Sequence, residues 1–195
     1  MRRLEAALCD VVRDLKDLGR PFALLGGFAV SARVEPRTTK DIDLAVLVDS
    51  DADAESLASA LSRRGYAIHT TIEHKRTGRL ATARTTAPSG AIVDLLFASS
   101  GIEPEVVAAA TEIEILDGLT VPVAIVGHLI AMKILARDDR LRPQDRVDLA
   151  GLFQNAGDED IATARSALHL IDERGYGRGR PLLDELRAAL DELGP

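Results

Sequence analysis

The sequence predicts an α+β chain: a mixed sheet flanked by helices, followed by a C-terminal helical bundle. Three observations predict it. Short apolar runs at Phe22–Leu25, Asp43–Val48 and Ala91–Phe97 have the length of buried strands and are bounded by turn or charged residues. The stretches 3–18 and 49–64 repeat apolar residues every three or four positions, which is the helical period. From Val126 onward only that helical period remains, so the chain divides into an α/β part, 1–124, and a helical part, 125–195.

Each element follows from its local pattern. Leu4, Leu8, Val11, Val12, Leu15 and Leu18 form one stripe of a first helix, which Gly19 and Pro21 end. Cys9 is expected on that apolar stripe, in the core. Phe22–Leu25 is a strand, Gly26-Gly27 a turn and Phe28–Arg33 a short helix. Asp43–Val48 is the next strand, and 49–64 a helix with an Asp/Ser start and a Gly65 stop. Tyr66–Glu73 and Leu80–Thr86 read as two strands of a hairpin whose tip, His74–Arg79, is basic. Ala91–Phe97 is a buried strand interrupted by Asp94. A short helix near 104–110 and a hairpin through 112–123 complete the first part. Helices near 126–138, 143–156, 159–174 and 180–193 fill the second, with breaks at Pro143, Gly157 and Gly175–Gly179.

Composition narrows the class. Hydrophobic residues make up 46% of 195 positions, enough for a substantial core. No run approaches the roughly 18 apolar residues that a membrane helix needs, and the N-terminus lacks the apolar core of a signal peptide. One cysteine leaves no internal disulfide and no cysteine-based zinc site. A soluble, cytoplasmic protein without membrane partners is expected. The net charge of −7 argues against a uniformly basic nucleic-acid coat, though not against a local basic patch. Among the basic residues 20 are Arg and only 4 are Lys, which singles out Lys40 and Lys133 in their contexts.

The chemistry is concentrated in Leu24-Leu25-Gly26-Gly27-Phe28 and Thr38-Thr39-Lys40-Asp41-Ile42-Asp43-Leu44. Side chains two apart on a strand share a face, so Asp41 and Asp43 point the same way. Paired carboxylates repel, and a hard divalent cation is the usual reason to keep both ionised. The glycine pair admits close backbone approach, and a helix starting there aims its N–H groups at an anion. A phosphate cradle beside a carboxylate pair points to Mg²⁺-assisted nucleotidyl transfer. Asp94 is a third candidate. If its strand lies beside the Asp-x-Asp strand, it joins Asp41 and Asp43 around the metal or takes the proton of an attacking hydroxyl. A buried Asp there could instead cap a loop or pair with an arginine.

Gly26-Gly27, thirteen residues, Asp41-Ile42-Asp43 and a later strand acid together resemble the polymerase-beta-type nucleotidyltransferase superfamily. The whole chain is most similar to the AbiEii-type nucleotidyltransferases, the toxins of type IV toxin–antitoxin pairs, and in particular to the small MenT-like toxins. Thr39-Lys40-Asp41-Ile42-Asp43, Lys133 in Ala131-Met132-Lys133-Ile134-Leu135-Ala136-Arg137, and Gln144-Asp145-Arg146-Val147-Asp148 carry the likeness. Two positions depart from the family pattern: Gln144 stands where a lysine leads the segment, and Gly27 where many relatives have serine. The resemblance implies the nucleotidyltransferase fold, an NTP substrate, Mg²⁺, a tRNA 3′ end as acceptor and a cognate antitoxin. It also favours a catalytic role for the pair Lys133 and Asp148, which on spacing alone would be an interhelical salt bridge.

The remaining candidates are phosphate ligands and RNA contacts. Lys133 and Arg137 are four apart on a helix and could grip triphosphate oxygens together. Gly26, Gly27, Thr39 and Lys40 complete the expected nucleotide set. A phosphate added to Thr39 would place negative charge where substrate phosphate must bind. Lys75, Arg76 and Arg79, at the basic hairpin tip, are the expected RNA contacts. The four histidines have no metal-ligand spacing. Two alternatives keep the same motifs: transfer to a small molecule such as an aminoglycoside, which the −7 charge suits, and a catalytically silent module binding nucleotide or partner.

Overall fold

The computed structural model describes residues 2–138 and 143–194. Its elements are α1 (Arg2–Asp17), β1 (Phe22–Leu25), α2 (Gly26–Arg33), β2 (Asp41–Val46), α3 (Asp51–Arg63), β3 (Ala67–Glu73), β4 (Leu80–Thr86) and β5 (Ile92–Leu96). Then come α4 (Glu103–Ala109), β6 (Thr111–Leu116), β7 (Leu119–Val123), α5 (Val126–Ala136), α6 (Pro143–Gln154), α7 (Asp158–Glu173) and α8 (Leu182–Leu193). The seven strands form one mixed sheet in the order β3-β4-β5-β2-β1-β7-β6. Parallel pairs β2/β5 and β1/β7 sit among antiparallel neighbours. The expected α+β architecture with a helical C-terminal half is therefore present.

The central strands read as apolar runs because they are covered on both faces. Phe22–Leu25 is buried throughout, and Ile42, Leu44, Ala45 and Val46 of β2 are closed from solvent. One buried cluster continues from these strands into the helical half through Leu129, Ile130, Ile134, Leu149, Leu152 and Leu168. The two halves also meet where α2 packs on α5 and α6. Arg33 ties α2 to the far edge of the sheet, donating to the carbonyls of Ala124 at 3.0 Å and Val123 at 2.8 Å. On the opposite side the Tyr66 hydroxyl donates to Asp14 Oδ2 at 2.9 Å, while Arg64 donates to Asp14 Oδ1 at 2.6 Å. That joins α1 to the end of α3, and burial followed by Asp14 pushes the Tyr66 phenol above its ordinary range.

Four local expectations shift. The second strand starts at Asp41 rather than Asp43, because Asp41 and Ile42 pair with Ile92 and Val93 of β5 and extend the ladder backwards. The glycine pair is the first turn of α2 rather than a separate loop, with Gly26 at φ +60° where a side chain is disfavoured. Cys9 is exposed: it follows Leu8 by one position, which turns it about 100° off the stripe that Leu8, Val11, Val12 and Leu15 bury. Helix α5 ends at Ala136, one residue before Arg137. No helix among the described residues is long and apolar enough to cross a membrane.

Candidate active site

Strand register, rather than sequence proximity, assembles the acidic centre. Asp43 of β2 is paired with Asp94 of β5, Asp94 with Arg84 of β4, and Arg84 with Thr70 of β3. Partners directly opposite in a sheet present their side chains on one face. Asp43, Asp94, Arg84 and Thr70 accordingly line a single cleft of about 1390 Å³. Two positions along the strands, Ile72, Thr82 and Leu96 continue its floor. Met132, Leu135 and Arg137 from the end of α5 form one wall; Arg178 and Arg180 from the α7–α8 loop form another.

The glycine pair positions the cleft's two halves. A Cβ at Gly26 would stand 1.8 Å from Asp43 Oδ2 and 2.6 Å from its Cγ, so the Asp43 carboxylate lies on the bare backbone at the head of α2. A Cβ at Gly27 would stand 2.6 Å from Thr39 Oγ1 and 3.0 Å from Arg37 Nη2. Glycine is required at both places by close approach, and at Gly26 by its backbone angle as well. Thr39 is held by its own hydroxyl, which donates to the Asp41 carbonyl at 3.2 Å. Lys40 is exposed, beside the partly buried Asp41.

Arg37 is a residue that sequence reasoning passed over. Its Nη2 donates to Asp148 Oδ2 at 2.7 Å, and its Nε stands 2.7 Å from Asp148 Oδ1. Lys133 Nζ reaches Asp145 Oδ1 and Asp148 Oδ2, each at 2.7 Å. Gln144, in the family's lysine position, donates to Asp148 Oδ1 at 3.3 Å. The expected pair of Lys133 and Asp148 is therefore part of a larger network linking the Thr39 loop to α5 and α6. Burial alone would push the Asp148 carboxyl up, but Lys133 and then Arg37 outweigh it and hold the group below its usual range. The only local hint of Arg37 is its place four residues before Asp41; its partner lies 111 residues away.

Asp94 is paired with an arginine. Arg84 donates from Nε to Asp94 Oδ1 at 2.9 Å and from Nη2 to Oδ2 at 2.6 Å. Those hydrogen bonds, the Asp94 charge and the nearby charges of Asp41 and Asp43 raise the Arg84 guanidinium above its already high range. Hairpin arithmetic would have found this pair: with Ala87 to Ala91 as the turn, Arg84 must face Asp94. Among the described residues no three His, Cys, Asp or Glu side chains converge as a ready-made metal cage.

The other candidates are dispersed. Arg137 caps α5 with extended backbone and donates to Glu192 at 3.1 Å, so it does not share a helix face with Lys133. It does line the cleft. The basic hairpin tip is docked: His74 lies against Tyr176, ring centroids 4.2 Å apart, and Arg76 packs on Gly175 of the α7–α8 loop. Arg79 pairs with Asp51 at 3.3 Å. Of the three expected RNA contacts, Lys75 lines the cleft. His128 is buried, with its Nδ1 lacking a hydrogen-bond partner.

A mixed sheet with carboxylates in register beside a helix-opening glycine pair is the arrangement of a nucleotidyltransferase. The family model described as "Nucleotidyl transferase AbiEii toxin, Type IV TA system" matches residues 10–194, and the chain belongs to that family. Solved structures share the fold at low identity. An antigenic nucleotidyltransferase-like protein from Paracoccidioides brasiliensis is 18% identical with a TM-score of 0.53, covering 96% of this chain and 93% of that one. The antibiotic-resistance factor ANT(2'')-Ia, solved with adenylyl-2''-tobramycin, is 15% identical with a TM-score of 0.51, covering 98% and 99%. No curated protein matches the chain.

Proposed function

We propose that this nucleotidyltransferase transfers a nucleoside monophosphate from an NTP to the 3′ end of tRNA, with Mg²⁺, and so blocks translation until a cognate antitoxin silences it. The observation that carries the reaction class is the Asp43 carboxylate seated on Gly26, in register with Asp94, at the floor of an open cleft. Asp41 and Asp43 would hold the cation: their donors are hard carboxylate oxygens, and the missing Cβ at Gly26 makes the room that the Asp43 carboxylate takes up. Asp94 would supply the third arm. When bound, the cation polarises the α-phosphate and offsets charge on the departing pyrophosphate.

The chain's own residues do the rest. The N–H groups opening α2 at Gly26 and Gly27 donate to phosphate oxygens, with Thr39 and Lys40 beside them. Lys133 and Arg137 offset charge that develops on the phosphates, and Asp148 with Arg37 holds Lys133 in place. The division into 1–124 and 125–195 has a chemical sense in this reading. The first part carries the acids and the cradle; the second supplies the cationic wall. A phosphate on Thr39, against Gly27, would fill the cradle and stop turnover. Thr39→Glu is then expected to abolish activity.

The tRNA acceptor draws on the family's toxin–antitoxin character and on the cationic rim of Lys75, Arg137, Arg178 and Arg180 along the cleft. The test is incubation with total RNA, Mg²⁺ and each α-labelled NTP in turn. A labelled band of tRNA size is expected. Label on added aminoglycoside instead would favour the small-molecule acceptor, to which the net charge of −7 is better suited. No label on any acceptor would favour a silent binding module.

A further inference from the structure

We infer that Arg84 guards the third carboxylate: it competes with the divalent cation for Asp94, and Asp94 joins the cation site only when substrate phosphate draws the guanidinium away. This rests on the metal-dependent reading above and adds an order of events to it.

The strand register brings Asp43 and Asp94 directly opposite one another, with Asp41 two residues along β2. Yet among the described residues no three acidic, imidazole or thiol groups converge on one point. A competitor for Asp94 is visible in the same row. Asp94 lies between Asp43 on one side and Arg84 on the other, and both its oxygens are engaged by Arg84. The Asp94 side chain is 10% exposed and that of Arg84 49%, and both line the cleft. A cation approaching Asp94 meets a carboxylate whose two oxygens already face a positive charge.

The chemistry favours exchange rather than a permanent staple. With three carboxylates on neighbouring strands, a guanidinium paired with one of them relieves their repulsion. A divalent ion at Asp41 and Asp43 makes that cation redundant and repels it. A planar guanidinium forms the same two-pronged contact with a phosphate as with a carboxylate. An incoming triphosphate therefore offers Arg84 a second partner at the moment it makes Asp94 available. Metal alone faces a closed site; metal with nucleotide opens it. A plain structural pair predicts something different, since its loss would lower the melting temperature and leave cation affinity unchanged or weaker.

The experiment is a titration of the full chain with Mn²⁺ alone, reading free Mn²⁺ by electron paramagnetic resonance. Wild type, Arg84→Gln, Arg84→Lys, Asp94→Asn, Asp43→Asn and the Arg84→Gln/Asp94→Asn double variant are compared, with a thermal melt of each. Arg84→Gln is expected to bind Mn²⁺ about 3- to 30-fold tighter than wild type, because a like charge has been removed. Arg84→Lys, which keeps the charge and the fold but only one prong, should gain less. The gain should vanish in the double variant, because it acts through Asp94. Unchanged or weaker Mn²⁺ binding in Arg84→Gln, with Asp43→Asn still abolishing it, overturns the guard and leaves the metal reading standing. Binding insensitive to Asp43→Asn overturns both.

Discussion

Replacing Gly26 by alanine tests the geometry at its tightest point. The new Cβ would be placed 1.8 Å from Asp43 Oδ2 and 2.6 Å from Cγ. Carbon and oxygen pack at about 3.5 Å, so the carboxylate must retreat by more than an ångström or the head of α2 must shift. The φ of +60° adds the left-handed cost, about 1–2 kcal/mol for a residue with a Cβ. A displacement of about 1 Å at a reacting centre costs on the order of 100-fold in rate. Gly26→Ala is thus expected to lose at least 100-fold in kcat for nucleotidyl transfer. Its fold should be retained, with a stability loss of about 1–3 kcal/mol. The assay is α-labelled NTP incorporation alongside thermal denaturation. Activity within threefold of wild type would refute the placement of Asp43 on the glycine, and with it the cradle.

Three further outcomes follow from buried groups. Asp148→Ala leaves Arg37 and Lys133 without their shared partner and should cost about 3 kcal/mol, at the low end for a broken buried pair because Lys133 keeps Asp145. Since the Asp148 carboxyl is held below its ordinary value, its stabilisation is complete above about pH 4 and disappears as pH falls through the lower folded value. The gap between variant and wild type in chemical denaturation should therefore close only in that acidic window. His128 is buried and its imidazole is pushed down, so its contribution is complete above about pH 6.5 and lost as pH falls. His128→Leu should flatten the stability profile as pH falls below about 6.5, where one proton can account for up to about 1.4 kcal/mol per pH unit; an unchanged slope would contradict this. Tyr66→Phe removes one of the hydrogen bonds to Asp14 while Arg64 remains, and should cost about 1 kcal/mol in melting experiments.

Much of the geometry of the candidate site was legible because its signals are local. The period-two placement of Asp41 and Asp43 needs only a strand, and the glycine pair needs only a helix after it. Asp94 became legible once an acid inside an apolar run required a partner, although the sequence left that partner open. What escaped depends on pairing across long stretches of chain. Arg84 looked like one basic residue among many until the β4–β5 register set it opposite Asp94. Arg37 had no local cue to Asp148, which reaches it only because α6 packs beside α2. The hairpin tip reads as a basic RNA-contacting element, and nothing local shows that His74 and Arg76 also lie against Tyr176 and Gly175, about a hundred residues later. Arg137 missed the helix face of Lys133 by one residue, a helix end that periodicity alone does not locate.

The most direct test of the central claim compares wild type with Asp43→Asn for transfer of α-labelled nucleotide to RNA, with Mg²⁺ and with chelator. Transfer by wild type that is lost in the variant, and lost in wild type on chelation, is the predicted result. Transfer that survives Asp43→Asn would place the reaction elsewhere than on the β2–β5 carboxylate row.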